Sequence, residues 1–231
     1  MACIVHIETS TQVCSVALSL DGECLLSREC HEGPSHGVVL GPYVDEAVSF
    51  ADSHAIPLDA VAVSSGPGSY TGLRIGVSTA KGLCYGRHLK LVSVPTLQLL
   101  CVPLLLYRAD VPDNALLCPM LDARRMEVYS AIYDRGLKAY KPVSADIIDE
   151  QSYGEYLDRG PVLFFGNGAE KCKPLLGHHP NAIFVDGIEP LAKNMMPLAE
   201  RNYLQGKTED VAYFEPFYLK EFVATQPKKL F

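Results

Sequence analysis

The stretch Ser64-Ser65-Gly66-Pro67-Gly68-Ser69-Tyr70-Thr71-Gly72-Leu73-Arg74-Ile75-Gly76-Val77 sets closely spaced glycines between an apolar run and a helix-like one. Backbone N–H groups of such a turn, with a helix N-terminus behind them, can hold an anion. Three chemistries compete for it. A dinucleotide fingerprint needs G-x-G-x-x-G and an acidic residue after the next strand. Here Gly66, Gly68 and Gly72 are one residue too widely spaced, and the next strand runs out at Val94-Pro95. A P-loop needs Lys-Ser/Thr after its last glycine, and Leu73-Arg74 stands there. The third reading is a tight turn whose glycines permit unusual dihedrals and close helix packing.

Other reactive residue types do not assemble by spacing. His31 and His36 are interrupted by Gly33-Pro34, and His178-His179 sits beside Pro180. Eight cysteines contain no Cys-x-x-Cys pair, which removes a zinc ribbon and a redox motif. Several lie inside apolar runs, as Cys14 does, and read as small reduced hydrophobes. Asp122 and Glu127, flanked by Arg124 and Arg125, read either as an acid pair facing a cleft or as a solvated charged turn. Ser10 or Ser69 as a nucleophile needs a base, and none lies nearby in sequence. The residues therefore nominate no catalytic set, no metal set and no cofactor.

The elements that must position the glycine loop follow from periodicity. Ala2–Glu8, Val13–Leu20 and Glu23–Arg28 read as three strands, the last two joined by the hairpin dipeptide Asp21-Gly22. This antiparallel opening argues against an all-parallel sheet. A helix capped by Ser35 carries Val39, Leu40, Tyr43, Val44, Ala47, Val48 and Ala51, with a kink expected at Pro42. A strand over 59–65 feeds the glycine loop and a helix to about Tyr85, followed by a strand over 89–94 and a helix over 96–106. The polar stretch 108–115 suggests a boundary between one unit of residues 1–108 and a less regular one of 109–231. Strands are expected at 116–121, 126–133, 162–165 and 182–185, a helix kinked at Pro197 over 191–203, and an extended tail over 215–231.

Lys and Arg number 20 against 27 Asp and Glu, a net charge of −7, with no basic run longer than Arg124-Arg125 and Lys228-Lys229. Independent binding of RNA, which needs cations to displace counterions, is not expected. No leader-like or membrane-spanning run is evident, and the cysteine usage fits a cytoplasmic protein.

The run 66–76, continued by Ser78-Thr79-Ala80-Lys81-Gly82-Leu83, resembles the signature of the TsaB (YeaZ) family. So do Ile7-Glu8-Thr9-Ser10-Thr11, Cys14-Ser15-Val16-Ala17-Leu18, His36 with Leu40 and Pro42, and Leu121-Asp122-Ala123-Arg124-Arg125-Met126-Glu127-Val128-Tyr129. These motifs fall in order over residues 4–133; beyond that the resemblance is weak. Glu8 departs from the family's usual Asp.

The resemblance implies an α/β protein of actin-like ATPase (ASKHA) fold, with two ribonuclease-H-like domains built from mixed sheets flanked by helices. It implies a non-catalytic subunit in threonylcarbamoyladenosine formation at position 37 of tRNAs reading codons that begin with A. The partners would be a TsaD-like catalytic paralogue and a TsaE-like ATPase, with tRNA met only inside the complex. The alternative is an actin-like enzyme, either a phosphotransferase or a metal-dependent hydrolase. The catalytic paralogue's metal-binding His pair aligns with Thr96 and Leu100, neither of which is a metal ligand. Thr9 and Ser10 fall where actin-like ATPases place a phosphate loop and are expected to be its remnant, while Gly66, Pro67, Gly68, Ser69 and Thr71 form the signature loop. Gly72, Gly76, Ala80 and Cys84 recur every four residues and share one helix face. Spacing leaves open whether that stripe packs inside the monomer. The resemblance favours a helix–helix interface with Val39 and Tyr43, used by the catalytic partner or by a homodimer.

Overall fold

A computed structural model describes residues 2–33 and 35–220. Lys228-Lys229 and most of the expected tail lie outside the described residues. The first sheet is built from β1 (Cys3–Glu8), β2 (Cys14–Leu20), β3 (Glu23–Cys30), β4 (Ala60–Gly66) and β5 (Lys90–Pro95), in the order β3-β2-β1-β4-β5. β1 and β3 run antiparallel to β2, whereas β4 runs parallel to both β1 and β5. Asp21 and Gly22 both take positive φ, as the hairpin dipeptide requires.

The second sheet holds β6 (Leu116–Asp122), β7 (Glu127–Tyr133), β8 (Ala139–Ile147), β9 (Val162–Phe165) and β10 (Ala182–Val185), in the order β10-β9-β6-β7-β8. Its pairings repeat those of the first sheet: two antiparallel steps on one side of the leading strand and two parallel steps on the other. This duplicated mixed sheet is the expected α/β, actin-like arrangement of two ribonuclease-H-like units. β8 was not expected. Pro142 interrupts it and most of its residues are only half-buried, so it lacks the alternation that marks a strand.

Helices follow where apolar faces need cover. α1 (His36–Ser53) and α2 (Tyr70–Arg87) pack on one face of the first sheet, against Val5, Ile7, Val16, Leu18, Val61 and Val63. Ser35 precedes α1 but makes no side-chain cap; its hydroxyl lies 3.2 Å from the Cys30 thiol. Ser69 does cap α2, accepting from the Gly72 N–H at 3.2 Å.

α3 (Thr96–Tyr107) is apolar on every side. Leu97, Leu100, Cys101 and Leu104 join the second sheet's core with Leu117, Leu163 and Phe165. Leu99 and Val102 join Ile4, Ala60, Ala62, Val92 and Val94 on the other face of the first sheet. That same face is completed by residues from late in the chain. A short 3-10 turn (Ala192–Met195) and α6 (Met196–Leu204) bring in Met195, Leu198 and Ala199. Pro197 starts α6 rather than kinking a longer helix, because its missing N–H costs nothing in a first turn. The short α4 (Gly154–Leu157) and α5 (Lys173–Leu176), the latter preceded by a 3-10 turn ending at Cys172, cover the remaining face of the second sheet through Leu157, Cys172 and Leu176. Among the described residues no helix is long and apolar enough to cross a membrane.

Candidate functional site

β1 and β4 end side by side, and the segments leaving them meet. The glycine loop folds back over the Thr9-Ser10 turn. The Ser69 N–H donates to the Ser10 carbonyl at 2.7 Å, and the Thr9 hydroxyl donates to the Gly72 carbonyl at 2.8 Å. A Cβ on Gly72 would press into the Thr9 carbonyl, one on Gly76 into the Thr9 hydroxyl, and one on Gly68 would lie 2.5 Å from the Ser10 carbonyl. The glycines are there because backbone meets backbone. The Gly66–Pro67 bond is cis, and Thr71 is exposed at the start of α2. The consequence is burial: Thr9 is 0% and Ser10 2% exposed. The Thr9-Ser10 turn, expected as the remnant of a phosphate loop, is thus covered by the glycine loop.

Beneath the turn sits Glu8, fully buried. Its Oε1 accepts the Ser10 N–H at 2.5 Å, and its Oε2 has no partner among the described residues. Burial pushes its carboxyl up to about 7, against the opposing pull of the Ser10 and Ser64 hydroxyls and the amides of Ser10 and Thr9. His6, two residues earlier, is also buried; burial pushes its imidazole down to about 3 and holds it neutral. Its Nε2 lies 2.7 Å from the Ser19 hydroxyl. A carboxyl titrating near neutrality could carry a proton, but this one is fully buried and faces no open cleft. Nothing in the spacing of the sequence signals this burial.

Thr96 and Leu100 stand on the first turns of α3, both fully buried. Leu100 packs with the second sheet, and the Thr96 hydroxyl has no partner among the described residues. Neither side chain offers a donor suited to a transition metal. Among the described residues, no three His, Cys, Asp or Glu side chains gather as a metal site.

The small-residue stripe needs correction as an interface. Gly72, Gly76, Ala80 and Cys84 are buried within the chain itself. The glycines rest on Thr9, while Ala80 and Cys84 pack with the apolar side chains of the first sheet. Ridge-and-groove geometry explains this: small residues let α2 lie close on strands β1 and β4. A second small stripe faces outward. A Cβ at Gly82 or Gly86 on α2, or at Gly37 or Gly41 on α1, would meet nothing within 4 Å. Val38 and Tyr85 on these helices are 77% and 81% exposed. Val39 and Tyr43 are half-buried at the edge of the same core. The Arg87–Asp52 pair, 2.6 Å, ties the two helices at their C-terminal ends.

Residues 205–218 form a strap that spacing did not reveal. Glu209 bridges the free edge of β5 at Leu91, and Lys81 donates to the carbonyls of Ala212 (3.0 Å) and Phe214 (3.1 Å). The Phe217 N–H then donates to the Ser65 carbonyl at 2.7 Å, behind the glycine loop. Between strap and α2 lies a groove of about 270 Å³ lined by Tyr70, Arg74, Lys81, Phe214 and Tyr218.

At the tip of β6 and β7 the charged turn is built by cross-bracing. Asp122 pairs with Lys171 and Glu127 with Lys220, and the Asn167 side-chain Oδ1 accepts the Asp122 N–H at 3.0 Å. Asp122 and Glu127 are therefore each bound to a lysine, not to one another.

A family model described as TsaD, tRNA N6-adenosine threonylcarbamoyltransferase, matches residues 33–226. The tRNA threonylcarbamoyladenosine biosynthesis protein TsaB of Escherichia coli (strain K12) is 31% identical over 234 aligned residues, covering 96% of each chain. The protein of that name from Bacillus subtilis (strain 168) is 28% identical over 75% of this chain and 74% of its own. Among solved structures, YeaZ from Pseudomonas aeruginosa superposes with a TM-score of 0.71 at 24% identity, over 95% of this chain and all (100%) of that one. A protein described as similar to peptidase YEAZ, also from Pseudomonas aeruginosa, superposes at 0.78 with 23% identity over 95% and 100% of the two chains. Such structural likeness speaks to fold alone; the sequence relationship, which spans nearly the whole chain, speaks to descent, and by it this chain belongs to the TsaB (YeaZ) family of tRNA threonylcarbamoyladenosine biosynthesis proteins.

Proposed function

We propose that this chain is the non-catalytic partner subunit of a threonylcarbamoyl-transfer machinery acting on tRNA. It works with a TsaD-like catalytic paralogue and a TsaE-like ATPase. The observation that carries this reading is the pair Thr96 and Leu100, both buried and neither bearing an imidazole, where the resemblance places the paralogue's metal ligands. The covered Thr9-Ser10 turn and the sealed Glu8 support it, since each leaves a place of expected chemistry without access. The outward faces of α1 and α2 supply a surface for association. Open glycines at 37, 41, 82 and 86 let a partner helix approach closely, and Val38 and Tyr85 give it apolar area to cover. The same surface serves a homodimer when the catalytic partner is absent.

Affinity purification of the chain from its native cell tests the reading. Recovery of the larger paralogue is expected. Its consistent absence, or threonylcarbamoyl transfer by the isolated chain, overturns the proposal.

A further inference from the structure

Among the described residues seven non-glycine residues have positive φ, and only Arg124 and Arg125 are consecutive, at φ 71 and 51. They lie in the connection from β6 to β7, and residues in the left-handed region are most often Gly, with Asn and Asp next. Arginine carries a Cβ penalty there and has no short polar group to offset it. The residue types at these positions are therefore not explained by the turn. Strain of this kind points from an observed outlier toward function.

The electrostatics agree. Both arginines are exposed, and neither guanidinium has a hydrogen-bond or ion-pair partner among the described residues. Elsewhere Arg28, Arg87 and Arg108 are each paired with a carboxylate. The two acids of the turn cannot neutralise the arginines, because Asp122 is taken by Lys171 and Glu127 by Lys220. A local excess of positive charge thus stands on a chain of net charge −7. The turn is also braced: the Arg124 N–H donates to Asp122 Oδ1 at 3.0 Å, and Asn167 holds the Asp122 amide. Two planar, multidentate cations on a fixed mount suit phosphate oxygens.

We propose that the Arg124–Arg125 turn is a phosphate-binding site. The phosphate comes from an RNA backbone or from a free nucleotide or pyrophosphate. The inference does not depend on the subunit role proposed above, since its test uses the isolated chain.

The test compares the full chain with Arg124→Asn/Arg125→Gly, which suits the backbone and should hold or raise the melting temperature. Arg159→Asn/Arg201→Asn makes the same charge change at two other exposed positions. Labelled tRNA is titrated by anisotropy at low salt, and ATP and pyrophosphate by calorimetry. The wild type should bind tRNA weakly, with the turn variant roughly tenfold weaker and its log K against log salt slope shallower by about 1–2. The control pair should change less. Loss confined to ATP or pyrophosphate would assign the phosphate to a free ligand. Equal binding by wild type and a folded turn variant, no binding of any probe by the wild type, or equal losses in turn and control variants would overturn the proposal.

Discussion

The Thr9 hydroxyl donates to the Gly72 carbonyl at 2.8 Å, and in return Gly72 leaves no room for a Cβ above the Thr9 carbonyl. The contact fixes the spacing between β1 and α2. Gly72→Ala should therefore destabilise the fold by at least ~2 kcal/mol through forced backbone displacement, despite alanine's better helix propensity. Gly82→Ala, on the open side of the same helix, should stabilise by up to ~1 kcal/mol. Urea denaturation of the two variants reads the difference. Similar effects in both would show that α2 is not pressed on Thr9.

The outward and inward faces of α2 separate in a second pair. Ala80→Trp places an indole in a filled core and should collapse the melt, with a loss above ~3 kcal/mol. Gly86→Trp should leave circular dichroism melting unchanged while abolishing co-purification with the partner and any self-dimer seen by light scattering. Intact association of a folded Gly86→Trp protein would move the contact to another face.

Stability should depend on pH through Glu8. Its folded value, about 7, lies above the ordinary carboxylate range, so the folded state binds the proton more tightly than the unfolded chain does. The stabilising effect of the protonated form is complete below about pH 4.5 and is lost as pH rises through about 7. Glu8→Gln keeps the shape and removes the charge. It should gain up to ~3 kcal/mol over wild type at pH 8.5 and nothing at pH 4.5. His6 acts in the opposite sense, losing stability as pH falls below its ordinary value, but it is common to both proteins and cancels in the difference. A pH-independent difference would show that folding leaves the Glu8 proton affinity unchanged.

Lys81 pins the strap through two carbonyls. Lys81→Ala should raise the rate of proteolytic cleavage within 205–218 severalfold while lowering global stability by about 1 kcal/mol or less. Unchanged cleavage would mean that the bridge at Leu91 and the Phe217–Ser65 bond hold the strap alone.

Much of this was readable in the chain. The hairpin dipeptide Asp21-Gly22, the apolar run before Gly66 and the periodicity of α1 report local preferences, and those preferences prevail. The stripe on α2 shows where such reading stops. A four-residue spacing says that Gly72, Gly76, Ala80 and Cys84 share a face, but not which way the face turns; that is decided by Thr9, sixty-three residues away from Gly72. β8 escaped for a related reason. Its place on the sheet is secured by Asp146, which accepts from Lys141, Ser130 and Tyr153 at 2.7, 2.6 and 2.8 Å, and no hydrophobic pattern records such a network. Ser35 looked like a cap by type alone, yet its hydroxyl faces Cys30. The strap shows no periodic pattern, because it is held by scattered single ties: backbone bonds at Leu91 and Ser65, the Lys81 ammonium, and the Ser93 hydroxyl on the Glu209 carboxylate.

α3 belongs to two cores at once, with Leu100 and Leu104 facing one sheet and Leu99 and Val102 the other. A chain cut after Tyr107 would leave the first half with a greasy rod exposed along one side and the second half without its roof. Heating should accordingly melt both sheets in a single cooperative step, with calorimetric and van't Hoff enthalpies in agreement. The leucines of α3 fill the joint between the two sheets, so the sheets are expected to move together.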